Sequence, residues 1–292
     1  MNPKYPVYII SKDRANSCLT ARELNKMGVP YFLVIEPQQI DSYAKVWGFK
    51  NLLPTPFKNL KQGSIPSRNF VWEHSIEDGY DKHWILDDNI EGFHRLNKNQ
   101  KPKVGDGTIL KCAEDFTDRY NNIAISGLNY YSFCKTTDKI PPFYLNTRIY
   151  SCILIRNDIP YRWRGIYNED TDLSLRVLEG GWCTVLFNAF LIGKVTTMRM
   201  AGGNTNNVYK DTNNRKEFAE SLKKQHPDVV DVVWKFNRWH HSVNYKPFAR
   251  NKLIKRKDIV IPKGINNYGM KLVKPIGGHN EKDGRMDNWY MG

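Results

Sequence analysis

The feature that most constrains this chain is a short apolar run that ends abruptly in acids. Trp84-Ile85-Leu86 is followed at once by Asp87-Asp88-Asn89. An apolar run this short is typical of a buried strand, and in open α/β sheets ligands bind beyond the carboxyl ends of strands. Neighbouring carboxylates repel each other, and a divalent cation such as Mg²⁺ or Mn²⁺, held together with substrate phosphates, would relieve that repulsion. A polar turn after a strand explains the same residues equally well, because Asp and Asn are ordinary turn residues.

The segments around this run alternate between strand and helix patterns. Pro6–Ile10 and Tyr31–Ile35 are apolar runs of strand length, and between them Leu19, Leu24 and Met27 recur at helical spacing. Such alternation predicts parallel strands with helices packed on the sheet. We therefore expect an α/β protein with a mixed, mostly parallel sheet flanked by helices. No G-x-G-x-x-G pattern follows the first strand, so a dinucleotide-binding protein lacks its fingerprint.

Charged residues mark the start of two further predicted helices. Arg68 falls in the first turn of one, where a cation opposes the helix dipole, so it is a candidate phosphate contact or else a solvated arginine. Glu169, Asp170 and Asp172 open the other helix. Acids at this position complement the dipole, but three crowded together indicate a site. A carboxylate there could accept a proton from an attacking hydroxyl.

The formal net charge of +14 favours a polyanionic partner, with nucleic acid the first candidate. An anionic membrane surface, an acidic small substrate, or a lysine-rich enzyme without such a partner are the alternatives. The charge is concentrated near the end of the chain, because Asp258 is the only acid between positions 246 and 274. The candidate contacts to nucleic acid are Lys252, Lys255, Arg256 and Lys257, followed by Arg162 and Arg164.

Composition limits the class of protein. A hydrophobic fraction of 40% excludes wholesale disorder, and no apolar run approaches the roughly 20 residues that span a bilayer. The five cysteines are widely spaced and odd in number, which argues against a disulfide framework and against a zinc site. We expect a soluble, cytoplasmic protein with no membrane partner. The sequence does not indicate an oligomeric state.

The last part of the chain is predicted to be helical and then basic. The pattern over 218–239 favours a helix interrupted near Pro227, with aromatic and basic residues at its end that could stack bases or pack in the core. The tail from Asn244 is basic and glycine-spaced. We therefore expect one domain over residues 1–243 and a basic arm over 244–292 that packs on it or extends it.

Four motifs together carry a family resemblance: Ser67-Arg68-Asn69, Trp84-Ile-Leu-Asp-Asp-Asn-Ile90, Tyr167-Asn-Glu-Asp-Thr-Asp-Leu-Ser-Leu-Arg176 and Gly202-Gly203-Asn204. Over roughly Val7 to Tyr209 the chain resembles GT-A glycosyltransferases, and more narrowly the TET/JBP-associated glycosyltransferases. That family includes phage enzymes and the base J glucosyltransferase, which place a sugar on 5-hydroxymethylpyrimidines in DNA. The resemblance implies a GT-A-like, Rossmann-related fold.

The resemblance also implies the substrates and the roles of individual residues. The donor would be a nucleotide sugar, with UDP-glucose the expected one, and the acceptor DNA that carries a 5-hydroxymethylpyrimidine, in an inverting transfer. The donor would contact Ser11, Arg14, Glu36, Arg68, Asn69, Gly202, Gly203 and Asn204. A Mn²⁺ or Mg²⁺ ion would be held by Asp87, Asp88 and Asn89, with His226, His240, His241 or His279 as a further ligand. Asp170 would be the general base, with Glu169 and Asp172 as substitutes.

Three alternatives stay open on the sequence alone. The first is a glycosyltransferase that acts on a glycan, a lipid or a protein. The second is a DNA-binding module without catalytic activity on the same fold. The third is a nucleotidyltransferase, which also uses paired acids and a metal.

Overall fold

The computed structural model describes residues 1–165, 167–195 and 215–259, together with the backbone of residues 214, 272 and 273. The strands are β1 (Val7–Ile10), β2 (Phe32–Ile35), β3 (Leu52–Pro54), β4 (Lys82–Asp87), β5 (Ile90–Arg95), β6 (Lys103–Val104), β7 (Ile123–Tyr130), β8 (Phe143–Leu145), β9 (Cys152–Arg156), β10 (Cys183–Lys194), β11 (Val230–Lys235), β12 (Arg238–Val243) and β13 (Leu272–Val273). The helices are α1 (Leu19–Met27), α2 (Ile40–Trp47), α3 (Ile65–Glu77), α4 (Thr108–Thr117), α5 (Glu169–Glu179) and α6 (Asn214–Gln225).

The large sheet has the strand order β13-β6-β5-β10-β7-β9-β4-β1-β2-β3, with β8 paired to β10. The strands β1, β2, β3 and β4 are parallel, and β9 is inserted antiparallel between β4 and β7. Most strands run in one direction, and β5, β8, β9 and β13 run in the other. This mixed sheet confirms the α/β class expected from the sequence.

Alternate side chains of the central strands point to opposite faces of the sheet, and both faces are covered. Ile9 and Leu86 pack in one core with residues of α1, α2 and α4. Tyr8 and Ile85 pack in a second core with residues of α3 and α5. A strand buried on both faces needs apolar residues at successive positions, which is why Val7–Ile10 of β1 and Trp84–Leu86 of β4 are unbroken apolar runs.

The carboxyl ends of the central strands meet at one edge of the sheet. Ile10 of β1 lies opposite Asp87 of β4 and Val34 of β2 in the register. The backbone N–H of Ser11 donates to the carbonyl of Val34 at 3.1 Å, so the loop after β1 starts beside both neighbours. The acids after β4 and the polar loop after β1 therefore belong to one surface.

The helix predicted over 218–239 is wrong in its second half. Helix α6 ends at Gln225, and β11 and β12 then form a separate antiparallel hairpin. Pro227 cannot continue the helix, and the valines that follow it favour an extended strand. Further along, Phe248 is 4% exposed and packs with Leu175 and Leu178, so the start of the basic arm contacts α5. No helix in the described part of the chain is long and apolar enough to cross a membrane.

Candidate active site

Arg68, in the first turn of α3, lies buried among three carboxylates from two other elements. Its Nη1 is 3.2 Å from Oδ1 of Asp170, its Nη2 is 3.4 Å from Oδ1 of Asp87, and its Nε is 3.8 Å from Oε1 of Glu169. Burial alone would lower the pKa of Arg68, but these acids outweigh it and raise the pKa. The acids thus offset the unfavourable position of a cation at a helix N-terminus.

Contacts between α3 and the loop before α5 fix the position of this arginine. The Asn69 side chain exchanges two hydrogen bonds with the backbone of Trp163, donating at 3.0 Å and accepting at 2.9 Å. The Trp163 ring lies 4.5 Å from the Arg68 guanidinium, in cation–π contact. Because both polar ends of Asn69 bind backbone, we assign it a positioning role instead of the donor contact predicted from the sequence.

Lys194, the last residue of β10, provides a second positive charge beside Asp87. Its Nζ lies 2.6 Å from Oδ2 of Asp87 and donates to Oγ of Ser151 at 2.6 Å, while Ser151 donates to the same Asp87 oxygen at 2.7 Å. Burial raises the pKa of Asp87, but Lys194 and Arg68 outweigh it and hold the pKa at about 2. Asp87 is therefore a carboxylate at neutral pH.

Asp170 has the opposite electrostatic environment. Burial raises the pKa of Asp170 to about 7, with Glu169 and Asp87 adding to the rise and Arg68 opposing it. Its Oδ1 is buried without a hydrogen bond from the described residues, although it lies within ion-pair distance of Arg68. A carboxylate that titrates near neutral pH is suited to accept a proton in catalysis.

Asp88 points away from Asp87, toward the loop after β1. Nη1 of Arg14 lies 2.5 Å from Oδ1 of Asp88, and Oγ of Ser11 donates to Oδ2 at 2.8 Å. Tyr43 supports this arrangement, because its hydroxyl lies 2.8 Å from Oγ of Ser11 and accepts the backbone N–H of Arg14 at 3.0 Å. Three residues predicted to act on the donor or the metal thus lie together.

Glu36, directly after β2, contacts the loop after β1 through Lys12. Its Oε1 pairs with Nζ of Lys12 at 2.7 Å, and its Oε2 accepts the backbone N–H of Asn59 at 3.0 Å. Burial raises the pKa of Glu36, but the contacts with Lys12 and Asn59 outweigh it and lower the pKa overall. The carboxylate lies at the edge of the surface formed by Ser11 and Arg14, where a nucleoside could contact it.

The side chains predicted to hold a metal ion do not fit one in this arrangement. Both oxygens of Asp88 bind Arg14 and Ser11, and Oδ2 of Asp87 binds Lys194 and Ser151. Over the described ranges, no group of three His, Cys, Asp or Glu side chains could hold a metal. Asn89 contributes one buried amide oxygen without a hydrogen-bond partner there, which is too little for a divalent cation. The repulsion between acids that suggested a metal is relieved by a lysine and two arginines.

Asp172 lies in a separate network behind the site. It is 1% exposed and pairs with Arg164 at 3.0 Å, with Arg176 at 2.8 Å and with Nε2 of His226 at 2.9 Å. Nδ1 of His226 pairs with Glu179 at 2.8 Å, so both ring nitrogens are engaged. We therefore propose neither Asp172 as the base nor His226 as a metal ligand.

The predicted DNA contacts fall into two groups. Arg162 pairs with Glu73 at 2.6 Å, Arg164 pairs with Asp172, and Arg256 pairs with Asp258 at 2.5 Å. By contrast, Lys252, Lys255 and Lys257 are exposed. Gly202, Gly203, Asn204 and His279 lie outside the described residues.

A cavity of about 690 Å³ adjoins the site, with Lys194 and Tyr130 in its wall. Its other walls are largely aromatic, and the rings of Tyr167 and Phe218 stack there with centroids 3.6 Å apart. Arg215, Arg238, Trp239, His240 and His241 also line it. The cavity thus combines aromatic faces with positive charge next to Asp87.

Sequence reasoning gave no role to Lys194 and Ser151. A single lysine after a strand has no local pattern that marks it as functional, and Ser151 has a left-handed backbone (φ 62°) that aims it only in the folded protein. The available signal was position, since Lys194 ends an apolar strand of the same sheet as Asp87.

The solved structures that resemble this chain do so with low sequence identity and low TM-scores. One is a protein assigned as a nucleotide-diphospho-sugar transferase from Desulfovibrio desulfuricans G20, with 9% identity over 63% of this chain and 80% of that chain and a TM-score of 0.37. Another is mannose-6-phosphate isomerase from Helicobacter pylori, with 10% identity over 87% of this chain and 94% of that one and a TM-score of 0.29. No curated protein matches the chain.

Most of the chain matches the model of one protein family. Residues 5–203 match the model of the TET-Associated Glycosyltransferase family, a span that contains β1 to β10 and every charged residue around Arg68. The chain therefore belongs to the TET-associated glycosyltransferase family and is a glycosyltransferase.

Proposed function

We propose that this enzyme transfers a sugar from a UDP-sugar, expected to be UDP-glucose, to the hydroxymethyl group of a 5-hydroxymethylpyrimidine in DNA. The observation that carries the proposal is Asp170, a partly buried carboxylate 3.2 Å from Arg68 whose pKa is raised to about 7 by burial, in a charge network that also reaches Lys194 in the wall of an aromatic cavity. Such a group can take the proton of an alcohol at neutral pH. The cavity offers flat apolar faces of the kind on which a base stacks.

The donor would lie over the carboxyl ends of β1, β2 and β4. Ser11, Arg14 and Glu36 surround the place for the nucleoside, and Asp88 holds the first two in position. The diphosphate would then point toward Arg68 and Lys194. Their charges lie beside Asp87 and could stabilise the negative charge that develops on the departing UDP.

The transfer itself requires one base and one leaving group. Asp170 accepts the proton of the acceptor hydroxyl while the hydroxyl oxygen forms a bond to the anomeric carbon. The bond from that carbon to the diphosphate oxygen breaks, and UDP leaves with the electron pair. Attack from the face opposite UDP inverts the configuration. Arg68 lies 3.2 Å from Asp170 and keeps the carboxylate oriented. The proposed chemistry has no metal-bound step.

The net charge supports DNA as the acceptor. A chain with a formal charge of +14 attracts a polyanion, whereas a neutral glycan gains nothing from that charge. A hydroxymethyl group inside a duplex is out of reach of a walled cavity unless its nucleotide is extruded.

The test is mass spectrometry of DNA after incubation with a panel of nucleotide sugars. We expect a hexose on DNA that contains 5-hydroxymethylcytosine or 5-hydroxymethyluracil, and none on unmodified DNA of the same sequence. Transfer to a glycan, lipid or protein acceptor with none to hydroxymethylated DNA would replace the proposed acceptor. DNA binding without turnover of any nucleotide sugar would contradict catalysis itself.

A further inference from the structure

The turn of the β11–β12 hairpin consists of two residues whose conformation does not evidently stabilise the fold. Lys235 lies opposite Arg238 in the register, so Phe236 and Asn237 form the whole turn. Their φ values are 53° and 55°, the arrangement of a type I′ turn. Asn tolerates a left-handed backbone, but Phe is bulky and rarely adopts one. An Asn-Gly pair would make the same turn without strain.

The Phe236 side chain is also strongly exposed. It is 87% exposed, and Trp234 on the same hairpin is 57% exposed. The described ring contact of Phe236 is edge-on to His240, with centroids 6.2 Å apart. A strained backbone that holds a large apolar ring in water does not stabilise the fold, so it indicates a function outside the fold.

The charges next to this ring favour a nucleic acid as its partner. Lys235 and Arg238 flank the turn, and both are exposed. Lys216 of α6 lies over the ring of Trp239, 5.3 Å from its centroid. Aromatic rings between basic side chains are suited to stacking on bases while the bases' phosphates are neutralised. A lipid surface would also accept an aromatic ring between basic side chains, and binding to anionic vesicles compared with binding to duplex DNA distinguishes the two partners.

The same hairpin forms a wall of the active-site cavity. Arg238, Trp239, His240 and His241 line that cavity, and so does Lys194. His240 therefore links the two features, because it lines the cavity and its ring also lies edge-on to that of Phe236. A nucleotide that left a duplex beside the turn would therefore be close to residues that line the cavity.

We propose that Phe236 inserts into the base stack of duplex DNA and fills the space left by the extruded hydroxymethylpyrimidine, whose base enters the cavity. This inference rests on DNA being the acceptor. Apolar side chains used as wedges between base steps are a general solution to the cost of unstacking, and enzymes that act on bases in duplexes extrude them. The strain in the turn is then the means of aiming the ring outward.

The experiment compares Phe236→Ala with Phe49→Ala, a control at another phenylalanine that is 71% exposed. Transfer is measured on a hydroxymethylated duplex and on the same strand alone. Phe236→Ala should lower kcat/KM on the duplex by roughly 10- to 100-fold, because unstacking costs a few kcal/mol. The single strand needs no extrusion, so its rate should change little, and Phe49→Ala should change neither.

A second measurement does not depend on turnover. A duplex with 2-aminopurine beside the modified base should brighten when the wild-type protein binds, because the base unstacks, and should brighten less with Phe236→Ala. Equal duplex activity of wild type and Phe236→Ala, or equal losses on duplex and single strand, would overturn the inference while the proposed function stands. Brightening that needs Phe236, without transfer to DNA, would instead contradict the proposed function. If binding of the protein to anionic vesicles depends on Phe236 and binding to the duplex does not, the proposed insertion of Phe236 into DNA is overturned.

Discussion

Nη1 of Arg68 lies 3.2 Å from Oδ1 of Asp170, so α3 and α5 bring opposite charges to one point above the end of β4. Arg68 also reaches Asp87, which Lys194 contacts from the other side. The result is a continuous set of alternating charges in which Asp87 stays ionised and Asp170 titrates near neutral pH. Asp87 thus holds Arg68 and Lys194 in position, whereas Asp170 is able to exchange a proton.

The rate of transfer should depend on the ionisation of Asp170. Because a protonated carboxyl cannot act as a base, kcat/KM should fall as pH drops below about 7. Glu169 raises the pKa of Asp170, so Glu169→Gln should move this limb of the pH profile to lower pH. A profile that is flat across this range, or a limb that Glu169→Gln leaves in place, would contradict the role of Asp170.

Stability should change with pH for the same reason. An unfolded aspartate titrates at about 3.9, whereas folded Asp170 keeps its proton until about 7. Between these values the folded state binds more protons than the unfolded state, so this group's contribution to stability falls as pH rises. Asp170→Asn has no proton to lose and avoids that fall.

Urea unfolding of both proteins measures this effect. The free energy of unfolding of Asp170→Asn minus that of wild type should increase from about pH 4 to about pH 7 and then level off. Titrating groups that do not interact with Asp170 contribute equally to the two proteins and cancel in the difference. A difference that does not change with pH would show that Asp170 has an ordinary pKa.

Lys194 should matter for turnover although it holds no substrate hydroxyl. Lys194→Gln removes a charge beside Asp87 and should lower kcat by about 10²–10³-fold, the usual effect of losing one electrostatic contact in a transition state. Lys26→Gln is the matched control, since Lys26 is 62% exposed and pairs with Glu23 on α1. Equal activity of the two variants would remove Lys194 from the mechanism.

Metal removal gives an independent check of the same charges. Because Asp87 and Asp88 are already paired with Lys194 and Arg14, transfer by wild type should persist in excess EDTA. The measurement is the initial rate in EDTA, with and without excess Mn²⁺. Activity that disappears in EDTA and returns with Mn²⁺ would show that a metal displaces these contacts.

Much of this site was recognisable from the sequence because its elements are local. The continuous apolar runs located β1 and β4, and the acids after β4 marked the edge of the sheet where the site lies. Arg68 stood out because a cation opposes the dipole in a first turn. Its partners could not be deduced, since they come from β4 and α5 and meet only through the packing of the sheet.

The choice among the acids of α5 shows a similar limit. Asp170 and Asp172 are two residues apart, so they point about 200° apart around the helix, and only one can face Arg68. Local sequence does not reveal which face is inward; in the structure Asp170 faces Arg68 and Asp172 faces His226. The hairpin was mistaken for helix because a run of valine and tryptophan is compatible with both periodicities.

DNA binding should depend on the exposed lysines of the arm. Each phosphate contact contributes roughly −0.9 to the slope of log affinity against log salt. Changing Lys252, Lys255 and Lys257 to alanine should flatten that slope by up to about three units, whereas Arg256→Ala should have little effect because Asp258 already pairs with Arg256. The control changes three other exposed lysines, Lys45 within α2, Lys50 after α2 and Lys58 after β3. Equal slopes for both triple variants would place the DNA contacts elsewhere.

The most direct test of the account is the hexose content of hydroxymethylated DNA after reaction with UDP-glucose, measured by mass spectrometry for wild type and Asp170→Asn. Wild type should glucosylate the modified base. Asp170→Asn should bind UDP as tightly as wild type but transfer about 10²–10⁴-fold more slowly, the usual effect of losing a general base. Transfer by Asp170→Asn at the wild-type rate, or the absence of hexose with wild type under every nucleotide sugar tried, would contradict the account.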